Sequence, residues 1–139
     1  MRFDRRAAIG FLFVPAMAAI AFAVLSMRIG SIRASFEYLA GNNFALSAPK
    51  FVAIDPTNER IKYTLTNLSN HAWKVELVKC SCTCTTHSVD AGAEIKPWKP
   101  REISFEVDRS NPQVEPGVCA IFFSTAAGMS SIEFQLRRE

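Results

Sequence analysis

Ile61-Lys62-Tyr63-Thr64-Leu65-Thr66 alternates apolar and polar side chains without a break, and Asn67-Leu68-Ser69-Asn70 then stops the run. A period of two places Ile61, Tyr63 and Leu65 on one face of an extended chain and the polar residues on the other. That is the pattern of a strand buried on one side. Three further segments repeat it. Trp73, Val75 and Leu77 alternate with Lys74 and Glu76; Ile103, Phe105 and Val107 with Glu102, Ser104 and Glu106; Ile132, Phe134 and Leu136 with Ser131, Glu133 and Gln135. Val118 to Phe123 (VCAIFF) is apolar on both faces, which suits a central strand. Turn-forming residues separate the runs: Asp55-Pro56-Thr57-Asn58, Asp90-Ala91-Gly92, Asn111-Pro112 and Glu115-Pro116-Gly117. Roughly six or seven short strands over residues 44–139, with no helical pattern between them, predict a mainly β fold, a small β-sandwich. Its core is expected to be the odd-numbered apolar set from Ile61 to Leu77, with Ile103, Phe105, Val107, Phe122 and Phe134. There is no internal repeat and no low-complexity segment.

Upstream the chain changes character. Ala7 to Met27 reads AAIGFLFVPAMAAIAFAVLSM, with no charged residue. At 1.5 Å per residue this run is about 31 Å long, the thickness of a bilayer's hydrocarbon core. Residues 7–28 are therefore predicted to form one transmembrane helix, with 1–6 as a cytoplasmic flank and 29–43 as a stalk. Pro15 is tolerable in a membrane helix whose freed carbonyl finds another donor. Residues 1–33 hold Arg2, Arg5, Arg6, Arg28 and Arg33 against Asp4, so the net charge of +3 belongs to the membrane flanks and the remainder is slightly acidic. No basic surface is left for a nucleic acid backbone. Three arginines before the span and two after it favour a cytoplasmic N-terminus and an exported C-terminal domain.

A cleavable export signal is the competing reading. Arg5-Arg6 has a twin-arginine look, and Ala21-Phe22-Ala23 has the small-x-small form of a cleavage site. The apolar run is longer than a signal core, which favours a retained anchor; either reading exports the domain. Beyond the span, Ile29, Ile32, Phe36 and Leu39 recur at helical spacing. They predict a continuation of the membrane helix that stops at Gly41-Asn42-Asn43. Alternatively Phe36 and Tyr38 rest on lipid headgroups.

Three of the four cysteines lie in Lys79-Cys80-Ser81-Cys82-Thr83-Cys84-Thr85-Thr86-His87. Outside the cytosol such thiols persist as disulfides. Soft thiolates also select Cu(I), and Cys82, Cys84 and His87 would wrap one ion if the segment coils. Zinc held by Cys80, Cys82, Cys84 and His87 is crowded, because an extended strand spaces the sulfurs too widely. A Cys-x-x-Cys at a helix N-terminus, the usual centre of thiol redox catalysis, is missing.

The series Ile61 to Asn70, then Ser81-Cys82-Thr83-Cys84-Thr85, then Ala91-Gly92 and the strand at Ile103, resembles the bacterial domain-of-unknown-function 1573 family over about residues 44–137. The resemblance implies an immunoglobulin-like sandwich in which a strand ending in a Thr-Asn turn precedes a Ser-Cys-x-Cys-Thr motif. Membrane-anchored members with a stalk ending near a glycine, as at Leu39-Ala40-Gly41, are also similar. They imply a single-pass protein of the bacterial inner membrane with its C-terminal domain in the periplasm. Fold and compartment are implied more than an activity. Two features depart from the family: Thr83 stands where glycine is usual and is expected to stiffen the turn, and Cys80 and Cys119 lie outside the motif.

If the sandwich is immunoglobulin-like, the strand from Trp73 to Val78 and the strand from Val118 to Phe123 are antiparallel neighbours. Cys80 then lies near Cys119, and a bridge between them would close a loop of about 40 residues, worth roughly 3–4 kcal/mol. Cys80 is out of phase with Trp73, Val75 and Leu77 unless a bulge intervenes. Cys82 and Cys84 would share a face of an extended strand with Cα atoms about 6.5–7 Å apart, which allows a bent disulfide or two cofacial thiols.

His71 and His87 fall in expected loops, with no partnered serine or carboxylate. The acids are scattered over strand faces, and neither a Gly-rich phosphate loop nor a nucleophile elbow is present. No catalysis is expected. Trp98, in Lys96-Pro97-Trp98-Lys99-Pro100, reads as a packed corner, with an exposed anchor for a protein partner as the functional alternative. Two functional classes follow. One is a non-catalytic accessory subunit that docks in a larger membrane or periplasmic complex and needs no cofactor. The other is a periplasmic copper- or thiol-handling protein working through Cys82 and Cys84.

Overall fold

A computed structural model describes residues 5–110 and 117–137, with side chains described from residue 13 onward. The turns expected at Asn111-Pro112 and Glu115-Pro116 lie outside the described residues, as do the first four residues of the flank. Among the described residues two helices, α1 (Arg5–Ile29) and α2 (Ile32–Leu39), precede nine strands: β1 (Phe44–Leu46), β2 (Lys50–Ala53), β3 (Asn58–Asn67), β4 (Trp73–Cys80), β5 (Thr85–His87), β6 (Glu94–Ile95), β7 (Pro100–Asp108), β8 (Val118–Thr125) and β9 (Gly128–Gln135). One sheet runs β1-β3-β7-β5, with β2 also on β3; the other runs β6-β4-β8-β9. All pairings within the sheets are antiparallel. Ala48-Pro49 divides the outer edge of β3 between β1 and β2, as a residue without an N–H does at a sheet edge.

Alternation builds the core. Ile61, Tyr63, Leu65, Ile103, Phe105 and Val107 of the first sheet meet Trp73, Val75, Ile121, Phe123, Ile132 and Phe134 of the second. Tyr63, Phe105 and Phe134 pack at centroid distances of 5.2–6.2 Å across the two layers. The Tyr63 hydroxyl donates to the Gln135 carbonyl, and burial raises its pKa. Two antiparallel sheets sharing one apolar interior make a β-sandwich.

Two residues expected in that interior are outside it. Register between β4 and β8 shifts so that Val75 faces Phe123 while Leu77 faces Phe122, leaving Glu76 as the extra residue of a bulge. A bulge reverses the side-chain phase beyond it. Leu77 is therefore 53% exposed, and its partner Phe122 is only half-buried. On β8 it is Cys119, Ile121 and Phe123 that are fully buried. We expect Leu77→Ser to change stability by no more than about 0.5 kcal/mol. Ile121→Ala should cost about 2–5 kcal/mol by urea denaturation. A large loss from the Leu77 variant would contradict the bulge.

The expected continuation of the first helix beyond residue 29 is also corrected. α1 stops at Ile29, Gly30 takes φ +75°, and α2 departs at 114° to α1. The Ser31 hydroxyl caps α2 by accepting from the Ala34 N–H at 3.3 Å. Only glycine adopts that left-handed conformation without steric cost. α2 then lies on β1: Ile29, Ala34, Ala45 and Leu68 form a second small core, with Leu25 and Trp98 against it. Phe36 contacts Phe22 at 4.8 Å and Tyr38 meets Trp98 edge-on at 5.0 Å. α2 stops at Leu39 with Ala40 as its C-cap, and Gly41 (φ +83°) follows where the sequence places the stop. Among the described residues no single helix is long and apolar enough to cross a membrane; Phe13–Ile29 and Ile32–Leu39 meet that test only as a bent pair.

Candidate functional site

The bulge at Glu76 decides where the cysteines go. It returns Val78 and Cys80 toward the interior, and Cys80 sits directly opposite Cys119. The two form a disulfide between neighbouring strands. Cys82 and Cys84 form a second disulfide, so none of the four cysteines is free.

The two bridges differ in setting. Cys119 is fully buried and its bridge spans 39 positions in sequence. Cys82 and Cys84 are half-buried and two positions apart, with Thr83 exposed between them. Their Cα atoms are 5.2 Å apart, less than an extended strand gives, because the chain turns through Thr83 and Cys84. Thr83 makes this turn without a positive φ, since Trp98 is the only non-glycine residue with one among those described. A glycine is therefore not required at position 83.

This turn carries the chain from one sheet to the other, and both of its ends are fixed. Ser81 donates its N–H to the Val118 carbonyl at 3.0 Å, and its hydroxyl accepts from the Val118 N–H at 3.0 Å. Gly117 makes the approach possible, since a Cβ there would collide with the Ser81 side chain. At the other end the Cys84 carbonyl accepts from the Asp108 N–H at 2.9 Å, and β5 begins one residue later against β7. Within the turn, the Cys84 N–H donates to Cys82 Sγ at 3.0 Å.

Cys84 opens onto a hollow of about 220 Å³ lined by Ile54, Asn58, Thr86, Glu106 and Asp108. The rim is acidic. Glu106 is ion-paired with Arg60. Asp108 accepts from the Ser110 N–H at 2.8 Å, and that bond lowers its pKa. Beside it Asp55 holds a turn together. Its carboxylate accepts from Asn58 Nδ2, from the Thr57 hydroxyl and from the backbone N–H groups of both residues, and its pKa falls to about 2, the Asn58 side chain being the largest cause. Glu59 is buried close by and meets the Arg109 guanidinium at 2.6 Å. Of these acids the sequence marked Asp55 as a turn residue and Glu106 as an outward-facing strand residue; nothing in it singled out Glu59 or Asp108.

The copper arrangement does not assemble. Among the described residues no three His, Cys, Asp or Glu side chains could hold a metal ion together. Cys82 and Cys84 are bonded to each other, and His87 turns Nδ1 to the Val89 carbonyl at 2.8 Å. His71 is exposed, and its carbonyl is held by Asn67. Trp98 is half-buried at the opposite end of the sandwich, wedged between Tyr38 and the small core under α2. It occupies the left-handed region at φ +59°, strained for a bulky residue and held there by its N–H bond to the Asn67 carbonyl at 2.8 Å.

No protein-family model and no curated protein matches the sequence. Among solved structures, the VesB protease of Vibrio cholerae aligns with 71% of this chain at 15% identity and a TM-score of 0.50. This chain spans only 33% of that protein's length, and the likeness is one of fold alone. The copper-bound PCuAC domain from PmoF2 aligns over 70% of this chain and 95% of that domain, at 13% identity and a TM-score of 0.43.

Proposed function

We propose that this protein is a membrane-anchored, non-catalytic β-sandwich that serves as a docking subunit of a larger membrane or periplasmic complex. The observation that carries this reading is the surface of α1. Phe13, Val14, Met17, Ile20, Val24 and Met27 all point outward, each at least half exposed, and neither α2 nor the sandwich covers them. An uncovered apolar helix needs lipid or another apolar surface. The capped bend at Gly30-Ser31 and the small core beneath α2 would hold the sandwich at a fixed angle to the anchor, as a docking element requires.

The arginine distribution around residues 7–28 supports a cytoplasmic N-terminus, and the two disulfides support an oxidising compartment outside it. An immunoglobulin-like topology, the resemblance to the domain-of-unknown-function 1573 family and a bacterial inner-membrane location belong to the same reading. Cross-strand ion pairs, Arg60 with Glu106 and Lys62 with Glu102, occupy acids on the strand faces and support a structural role for them.

Carbonate extraction and protease protection on the full chain, followed by isolation in mild detergent, test the proposal. The chain should stay in the membrane pellet, be digested only from the outer face, and elute with other proteins in stoichiometric amount. Release by carbonate would end the anchor reading, and elution as a lone monomer would end the docking reading. A second reading, thiol handling at Cys82 and Cys84, is favoured by the half-buried bridge lying at the end of the sandwich remote from α1.

A further inference from the structure

The two disulfides in one small domain invite a comparison. A bridge that spans 39 positions removes far more freedom from the unfolded chain than one that spans two, so opening it costs more. Exposure points the same way at one sulfur: Cys119 is sealed in the core while its partner Cys80 is half-buried, whereas both Cys82 and Cys84 are half-buried on an exposed turn. Exposed bridges are the exchangeable ones. The ends of the turn are also held by bonds that do not involve the disulfide. Ser81 is bonded to β8 and the Cys84 carbonyl to β7, anchors that would keep the two sulfurs near each other once the bond between them opens.

We infer that Cys82 and Cys84 form a thiol–disulfide exchange centre for neutral or cationic dithiols, in which Cys84 is the sulfur attacked and Cys82 the sulfur released. The inference rests on the thiol-handling reading and assigns its chemistry. The Cys84 N–H already donates to Cys82 Sγ at 3.0 Å, so negative charge appearing on Cys82 is met by a donor in position. Cys84 lines the open hollow through which a thiol approaches. In the first step one thiolate of the dithiol bonds to Cys84 Sγ, the Cys82–Cys84 bond breaks, and its electron pair leaves on Cys82. The second thiolate then attacks the dithiol's own sulfur in the mixed disulfide and expels Cys84 as a thiolate. The dithiol is oxidised to its disulfide, the protein gains two electrons, and the two protons lost by the dithiol end on Cys82 and Cys84. Asp108 at the rim disfavours an anionic thiol.

The test uses the full oxidised chain in detergent. Graded dithiothreitol followed by alkylation and peptide mass spectrometry should label Cys82 and Cys84 at a reductant concentration about tenfold or more below that needed for Cys80 and Cys119. Brief exposure to 2-mercaptoethanol, quenched in acid, should place the mixed disulfide on Cys84. At low salt, 2-mercaptoethanesulfonate should react several-fold more slowly than 2-mercaptoethanol, with the gap closing as salt rises. A Cys82–Cys84 bond that resists reductant until the domain unfolds would overturn the thiol reading itself. If the bond opens early but the adduct sits on Cys82, the reading stands and the assigned roles are wrong. Equal rates for the two monothiols would remove the acidic rim from the selection.

Discussion

Replacing Cys80 and Cys119 together by alanine is expected to cost the sandwich about 4 kcal/mol, on the order of 20 °C in melting temperature for a domain of this size. The bridge joins β4 and β8 where they already lie opposite in register, so it adds little order to the folded state. Its effect lies in the unfolded chain, which without it regains the freedom of the long segment between the two cysteines. The Cys82→Ala/Cys84→Ala pair should cost about 1.5 kcal/mol or less, because a bridge over two positions constrains almost nothing beyond its own turn. Urea denaturation of the full chain, followed by the fluorescence of buried Trp73, compares the two variants directly. Equal losses would mean that the stabilisation does not come from loop closure, and would also remove the basis for opening one bridge before the other.

The sandwich was legible because each strand with one buried face writes its period into the sequence. Ile61 to Leu65, Ile103 to Val107 and Ile132 to Leu136 all bury the side chains the alternation selects. Reading fails where the period breaks without changing composition. A bulge at Glu76 adds one residue to β4, and nothing distinguishes Glu76 from Lys74 as an outward-facing polar residue. The alternation therefore puts Leu77 inside. The same bulge explains how Cys80 reaches Cys119 despite its phase. At β8 an apolar run on both faces offers no parity at all, and only pairing with β4 and β9 selects Ile121 and Phe123 over Phe122.

The helix after residue 29 misled for a different reason. Ile29, Ile32, Phe36 and Leu39 keep a helical period across Gly30-Ser31, but a period does not report axis direction. The signal was present in the residues themselves, a glycine followed by a serine that caps the next helix. At the thiol turn, the motif Ser81-Cys82-Thr83-Cys84-Thr85 marked the place. What fixes it is supplied by distant residues, Val118 and Gly117 on one side and Asp108 on the other, which come near only in the folded chain.

Asn67 shows the same limit at the opposite end of the molecule, and its replacement by aspartate should be among the most damaging single changes in the chain. In sequence it is a turn residue that ends a strand. In the fold it is fully buried and makes four side-chain bonds. Its Nδ2 donates to the carbonyls of His71 at 2.8 Å and Ile95 at 3.1 Å, while its Oδ1 accepts from the Ser69 N–H at 2.9 Å and the Ser69 hydroxyl at 2.7 Å. One amide thus ties β3 of the first sheet to β6 of the second and shapes the loop between β3 and β4. Asn67→Asp keeps the shape but turns both donors into an oxygen that faces two carbonyl oxygens. Burying that charge without a cation should cost about 3–5 kcal/mol at neutral pH. The folded state would hold the new carboxyl protonated, so its pKa rises above the unfolded value of about 3.9. Below that value both states are protonated and the ionisation penalty is absent. As pH climbs past it the unfolded chain ionises first, and stability falls until the folded pKa is reached. The variant should therefore approach the parent in acid and diverge from it toward neutrality, measured as the urea midpoint from pH 3.5 to 7.5. A constant gap between the two across that range would mean that lost hydrogen bonds, not buried charge, dominate at this position.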